Sequence, residues 1–285
     1  MALAPLPASA QKVFQSPETA MNAFGNAIID NDDDAVKALL GANYKDLIPP
    51  VGAELRYRFI EGWAKSHALQ HEGDSHAVIA VGNDGWTMPI PLVKSAAGWR
   101  FDTRAGAEEM RLRRIGRNEL GVMQAMLALC DAQREYAAAD HDGDGLLAYA
   151  PRLWSSSGKQ DGLYWPTKAG EQPSPLGRAF AAAGVPSPGS GTSGAGGYHG
   201  YHYKLLTSQG AHAKGGALDY VARGKLFGGF GVIAWPVRYG DTGVMSFIVN
   251  HDGQVYEQDL GPDSASKGAV TKSFDPGPGW RKVSP

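Results

Sequence analysis

From about Ala107 to Ala139 the chain keeps a helical period without interruption. Ile115, Val122, Met126, Leu129 and Gln133 step along one stripe, with Met123, Leu127 and Cys130 beside it. An apolar stripe of that length has to be covered, so the flanking segments must supply a partner for it. The pattern also cuts the chain into unlike parts, helices then strands before it and strands rich in Gly, Pro and aromatics after it. Arg111, Arg113, Arg114 and Arg117 cluster near its start. Glu108, Glu109 and Glu119 stand at spacings suited to partial pairing, so a solvated helix face accounts for the cluster better than a functional basic patch.

In the first part, Ser16-Pro17-Glu18 supplies a cap, a residue preset for the first helical position and an acid in the first turn. Met21, Phe24, Ala27 and Ile28 then share a face, and the acidic turn Asp30–Asp34 leads to a second helix bearing Val36, Leu39 and Leu40. After Phe59 and Trp63 the period shortens. "HAVIAVG", "WTMPIPLVK" and "GWRFDT" read as strands parted by Asn83-Asp84-Gly85 and Ala96-Ala97-Gly98. Pro89 and Pro91 lack the N–H a ladder needs, which predicts an edge strand or a bulge. Helices followed by an antiparallel meander is an α+β layout. This module, residues 11–105, resembles the cone-shaped NTF2-like fold in pattern.

Residues 106–285 form the second part, the long helix followed by "YHGYHYKLL", "GGFGVIAWPVR", "GVMSFIVN" and "QVYEQDL". The last two strands are joined by the hairpin turn His251-Asp252-Gly253. Four such strands make an antiparallel sheet, and the long helix is the natural cover. Between helix and sheet lies the loop "VPSPGSGTSGAGG". Its Gly189–Gly194 stretch matches G-x-G-x-x-G, but with no strand before it and no helix after it the dinucleotide reading fails.

A net charge of −2 gives general nucleic-acid binding little electrostatic support. No apolar run approaches the roughly 18–20 residues that span a bilayer, so no transmembrane segment is expected. Ala8-Ser9-Ala10 before Gln11 has the small residues of a signal-peptidase site, so residues 1–10 read as a signal-peptide remnant and the protein as periplasmic or secreted. With Cys130 alone no intramolecular disulfide forms, and its helical setting predicts a buried structural thiol.

The strongest chemical signal is "DHDGDGLLAYAP". Asp140, Asp142 and Asp144 occupy positions one, three and five of a calcium-type loop, and Gly145 permits the bend at six. Position twelve is Pro151 where a bidentate Glu belongs, so Asp161 or Glu171 would have to complete the site. Calcium as a structural clip is the metal reading; a helix-capping Asx turn that binds nothing is its rival. His199, His202, His212 and His251 lack zinc-site spacing and read as polar sheet residues. No G-x-S-x-G elbow is present. Asp219, Asp241, Asp252 and Asp259 have no diagnostic spacing for an acid/base pair, and Trp154, Tyr164, Trp165 and the "GYHGYHY" aromatics read as packing before they read as a sugar or peptide groove.

Many phrases carry a likeness in order: "PIPLVK", "GWRFDT", "RRIGRNEL", "DGLYWP", "SPLG", "GYHYKLLTSQG", "GGFGVIAWPVRYGDTGVMSFIVNHDGQVYEQDLG" and "FDPGPGW". Together they resemble the secreted bacterial family called domain of unknown function 2950. That resemblance implies an exported envelope protein with no established activity, and so no catalytic residue to carry over. The second part, with its helix through "AQREY" and the segment "GVMSFIVNHDGQVYE", also resembles the globular head of type IV pilins and pseudopilins, without their apolar N-terminal helix. The expected function is non-catalytic binding or scaffolding in the envelope, with an unidentified envelope protein or small ligand as partner. The alternative is a periplasmic hydrolase of envelope glycan or peptide with Asp and His residues between the two parts. A third possibility is a small-ligand pocket within the first module.

Overall fold

A computed structural model of the chain describes residues 11–47, 53–168, 170–177 and 197–285. The expected leader remnant and the Gly189–Gly194 motif lie outside them. Helices and antiparallel sheets are both present, as the α+β reading requires. Two compact units divide the chain, a first ending at Leu112 and a second beginning at Arg113.

Ser16 caps helix α1 (Pro17–Ile29) by accepting from the Thr19 amide at 3.3 Å. Asp32 caps α2 (Asp33–Leu40) through the Ala35 amide at 2.9 Å. A short α3 (Tyr44–Leu47) and α4 (Ala53–Lys65) follow. The sheet of this unit is a meander, β1 (His67–Glu72), β2 (His76–Val81), β3 (Leu92–Ser95) and β4 (Gly98–Phe101), in that spatial order. β1 was not expected from the sequence. Its side chains are mostly exposed, so "HALQHE" shows no apolar alternation, and it is held by its six-residue pairing with β2. The expected strand "WTMPIPLVK" survives only from Leu92, plus a bridge from Thr87 to Ala80. The prolines account for the break, since neither can donate to a neighbour. The core combines Met21, Phe24, Val36 and Leu39 of the helices with Ile79, Leu92, Trp99 and Phe101 of the sheet.

Helix α5 (Thr103–Tyr136) begins where Asp102 accepts from the amides of Arg104 and Ala105. In the second unit β5 (Tyr201–Leu206) is followed by four two-residue strands, β6 (Ser208–Gln209), β7 (Leu218–Asp219), β8 (Val221–Ala222) and β9 (Lys225–Leu226). Then come β10 (Gly231–Pro236), β11 (Met245–Asn250), β12 (Val255–Asp259), α6 (Ser264–Val270), β13 (Ser273–Phe274) and β14 (Arg281–Val283). The main sheet runs β14-β12-β11-β10-β5, antiparallel throughout. The expected four strands are all there; β14, short and exposed, was not foreseen.

Both faces of this sheet are covered. Val122, Met126 and Leu129 of α5 pack with Tyr201, Tyr203, Val232, Ala234, Phe247 and Val249. The alternate residues Leu206, Ile233, Trp235 and Ile248 form a second core with Phe274. Two-sided cover is why β10 is buried at every position and reads as a continuous apolar run. Against Trp235 lies Gly268 of α6, where a Cβ would come within 2.5 Å of the indole.

Candidate functional site

The acidic run folds as a tight loop after α5. Gly143 and Gly145 take φ of +76° and +80°, the left-handed backbone that glycine adopts without penalty. Asp140 is turned onto the loop itself, accepting from the amides of Asp142, Gly143 and Gly145. Those amides hold its carboxyl down at about 2, the Gly145 bond contributing most. Asp140, Asp142 and Asp144 each bring a carboxylate oxygen within 4.8 Å of the others.

A cation already faces two of them. Lys225, at the start of β9, donates to Asp142 at 2.9 Å and to Asp144. These bonds raise the ammonium's pKa, and Asp144 is lowered chiefly by the lysine. Two further ties pin the same segment. The Tyr149 amide donates to Leu226 O at 3.0 Å, and the Gln133 side chain bonds both the amide and the carbonyl of Ala150 at 2.8 and 3.0 Å. Asp161 stands outside the acidic cluster. It accepts from the amide and hydroxyl of Ser156 and faces Arg152 at 3.7 Å. Glu171 accepts from the Lys168 amide.

Several of the other polar residues singled out in the sequence have structural partners, whereas Nδ1 of His251 and Nε1 of Trp154 and Trp165 are buried with no hydrogen-bond partner among the described residues. Glu119 receives the amides of Val244 and Met245 rather than an arginine, and Arg114 pairs with Asp241. Asp219, Asp252 and Asp259 sit in local turn or hydroxyl contacts. Only His202 of the four histidines lies in a strand; His199 occupies a turn at φ +50°, and His212 and His251 lie in connecting segments. Their reading as sheet residues is corrected accordingly. His212 pairs with Asp275 at 3.1 Å. Trp154 and Tyr164 meet edge to face, and Trp165 belongs to the core of its unit. Cys130 is buried, its thiol pushed up to about 12 by desolvation.

The first unit contains an open concavity of about 540 Å³. Its floor is apolar, with Phe24, Val36, Met88 and Ile90 all nearly fully buried. Pro89 lines the wall, and with Pro91 it breaks the strand, so that Met88, Pro89 and Ile90 line the cavity in irregular backbone. Phe24, Phe59 and Trp86 run along it as successive edge-to-face contacts at 5.9 and 6.4 Å. Leu55 and Trp86, 55% and 46% exposed, are large apolar groups left facing water where they line it. Trp63 and Phe101 fill the neighbouring core instead. Of the polar lining, Asp32 caps α2 and Asp33 faces Lys45 at 3.9 Å. Arg56 differs, because its Nη1 is buried with no hydrogen-bond partner among the described residues. The sequence carried one signal of this cavity, the Pro-Ile-Pro run that could not complete a strand.

Residues 11–283 match the family model described as "Protein of unknown function (DUF2950)". The chain belongs to that family. No curated protein and no solved structure matches it. No helix among the described residues of this DUF2950 chain is long and apolar enough to cross a membrane.

Proposed function

We propose that the chain is a non-catalytic binding protein of the cell envelope, whose first unit takes a small, largely apolar ligand. The observation that carries this is the cavity in the first unit. Its volume is in the range of small-molecule sites, its floor is apolar, and a few polar groups stand at its edge, which is the usual composition of such sites. An aromatic and a leucine left exposed at the lining lose contact with water only when something fills the space. Export to the periplasm is supported by the Ala8-Ser9-Ala10 spacing. The test is titration with the neutral fluorescent probe N-phenyl-1-naphthylamine. Saturable micromolar binding is expected, weakened about tenfold in Trp86→Ala, as loss of an aromatic contact generally costs. Absence of saturable binding would sink the reading.

Calcium remains a proposal for the acidic loop. In its favour is the convergence of three carboxylates; against it stands the Lys225 ammonium, which shares Asp142 and Asp144. The ion and the lysine then compete. Millimolar calcium raises the melting temperature, Asp142→Ala removes the rise, and Lys225→Gln enlarges it. A flat response in both wild type and Lys225→Gln ends the metal reading.

The hydrolase alternative has one observation behind it, the pairing of His212 with Asp275. A nucleophile would complete such a dyad from the far ring nitrogen, and no hydroxyl among the described residues hydrogen-bonds His212.

A further inference from the structure

We propose that the ligand of the first unit's cavity is a single-chain amphiphile with an anionic head, its chain on the apolar floor and its head paired with Arg56. This rests on the binding reading above and adds the ligand's chemistry.

The charges at the cavity are not equivalent. The Asp32 carboxylate accepts from the amide that opens α2, and Asp33 has Lys45 as its counter-ion. On α4 the other ionic side chains are matched along the helix, Arg58 with Glu54 and Lys65 with Glu61, both at 2.8 Å. Arg56 is the exception among them. It lines the cavity, and its guanidinium lies over the Tyr57 ring at 5.7 Å; among the described residues no carboxylate lies within ion-pair distance, and its Nη1, covered from water, has no hydrogen-bond partner. A buried donor left unpaired is costly, and a guanidinium cannot shed its proton to escape the cost. Its planar fork is matched by two oxygens on one centre, which a carboxylate or a phosphate presents and an alcohol or an amine does not. The floor on Phe24, Val36, Met88 and Ile90 has no such donor, so it suits the apolar tail.

The experiment uses the full chain and three probes that share a tail, dodecanoate and dodecyl phosphate below their micellar concentrations and dodecanol below its solubility limit, measured by calorimetry. At least one anionic probe should bind tenfold or more tighter than dodecanol, with the advantage shrinking as salt is raised. Arg56→Gln should erase that advantage, read as the ratio of anionic-probe to dodecanol affinity within the same variant; the Arg56 side chain makes no hydrogen bond among the described residues, and circular dichroism checks that the variant is folded. Trp86→Ala should weaken all three probes. Preference for dodecanoate identifies a carboxylate head and preference for dodecyl phosphate a phosphate head. If dodecanol binds as tightly as both anions, or Arg56→Gln changes nothing, the inference falls and the binding reading stands. If none of the three binds, both fall.

Discussion

At the residue scale, charge placement in the acidic loop has a consequence for acid stability. Asp140 accepts three backbone amides in the folded state, which a flexible chain does not hold in place, so its carboxyl is depressed to about 2 from its ordinary 3.8. A depressed folded-state value means the stabilisation is fully present above the unfolded value and disappears as pH falls from about 4 towards about 2. Asp140→Asn leaves one acceptor oxygen where the loop uses two. It is therefore expected to lower the melting temperature near neutrality, with the difference from wild type closing towards pH 2 in a thermal-melt series. Differences that stay constant with pH would show that the charge is not what matters. The spacing of the aspartates was visible in the sequence. That a lysine 81 residues beyond Asp144 lies against them was not, because nothing local links the two segments.

At the element scale, α5 shows how a polar residue can belong to an apolar stripe. Gln133 is fully buried, and its amide group makes both of its hydrogen bonds to Ala150. Gln133→Leu keeps similar bulk but leaves the Ala150 amide and carbonyl without partners. A loss of about 2–6 kcal/mol is expected in urea unfolding, from two unpaired buried groups at roughly 1–3 kcal/mol each. A loss below about 0.5 kcal/mol would mean the loop finds other partners. The stripe itself was readable from periodicity, since Ile115, Val122, Met126 and Leu129 are all buried as expected. β1 was not readable, because a strand whose only half-buried side chain is Leu69 has no hydrophobic alternation to reveal it.

At the scale of the whole molecule, each unit has its own core. Phe101 is fully buried among first-unit side chains, while the second unit has one core on each face of its main sheet. Phe101→Ala should therefore cost about 3–5 kcal/mol within its own unit. Calorimetry is expected to show one transition moving down while another stays in place. A single transition shifting as a whole would refute independent units.

Local chemistry alone determined much of this protein. Ser16-Pro17-Glu18 starts a helix, glycines at 143 and 145 turn the acidic loop, and Pro89 and Pro91 stop a strand, because each effect acts within a few residues. Long apolar periods likewise announced α5 and the four long strands of the second unit, since burial imposes its pattern on the sequence. Only the tertiary structure decided where Lys225 and Gln133 find their partners, which exposed strands complete the sheets, and that a broken strand leaves a cavity with Arg56 at its side. Those outcomes depend on pairings between distant segments, whose closeness is set by the packing of the whole core and leaves no periodic trace along the chain.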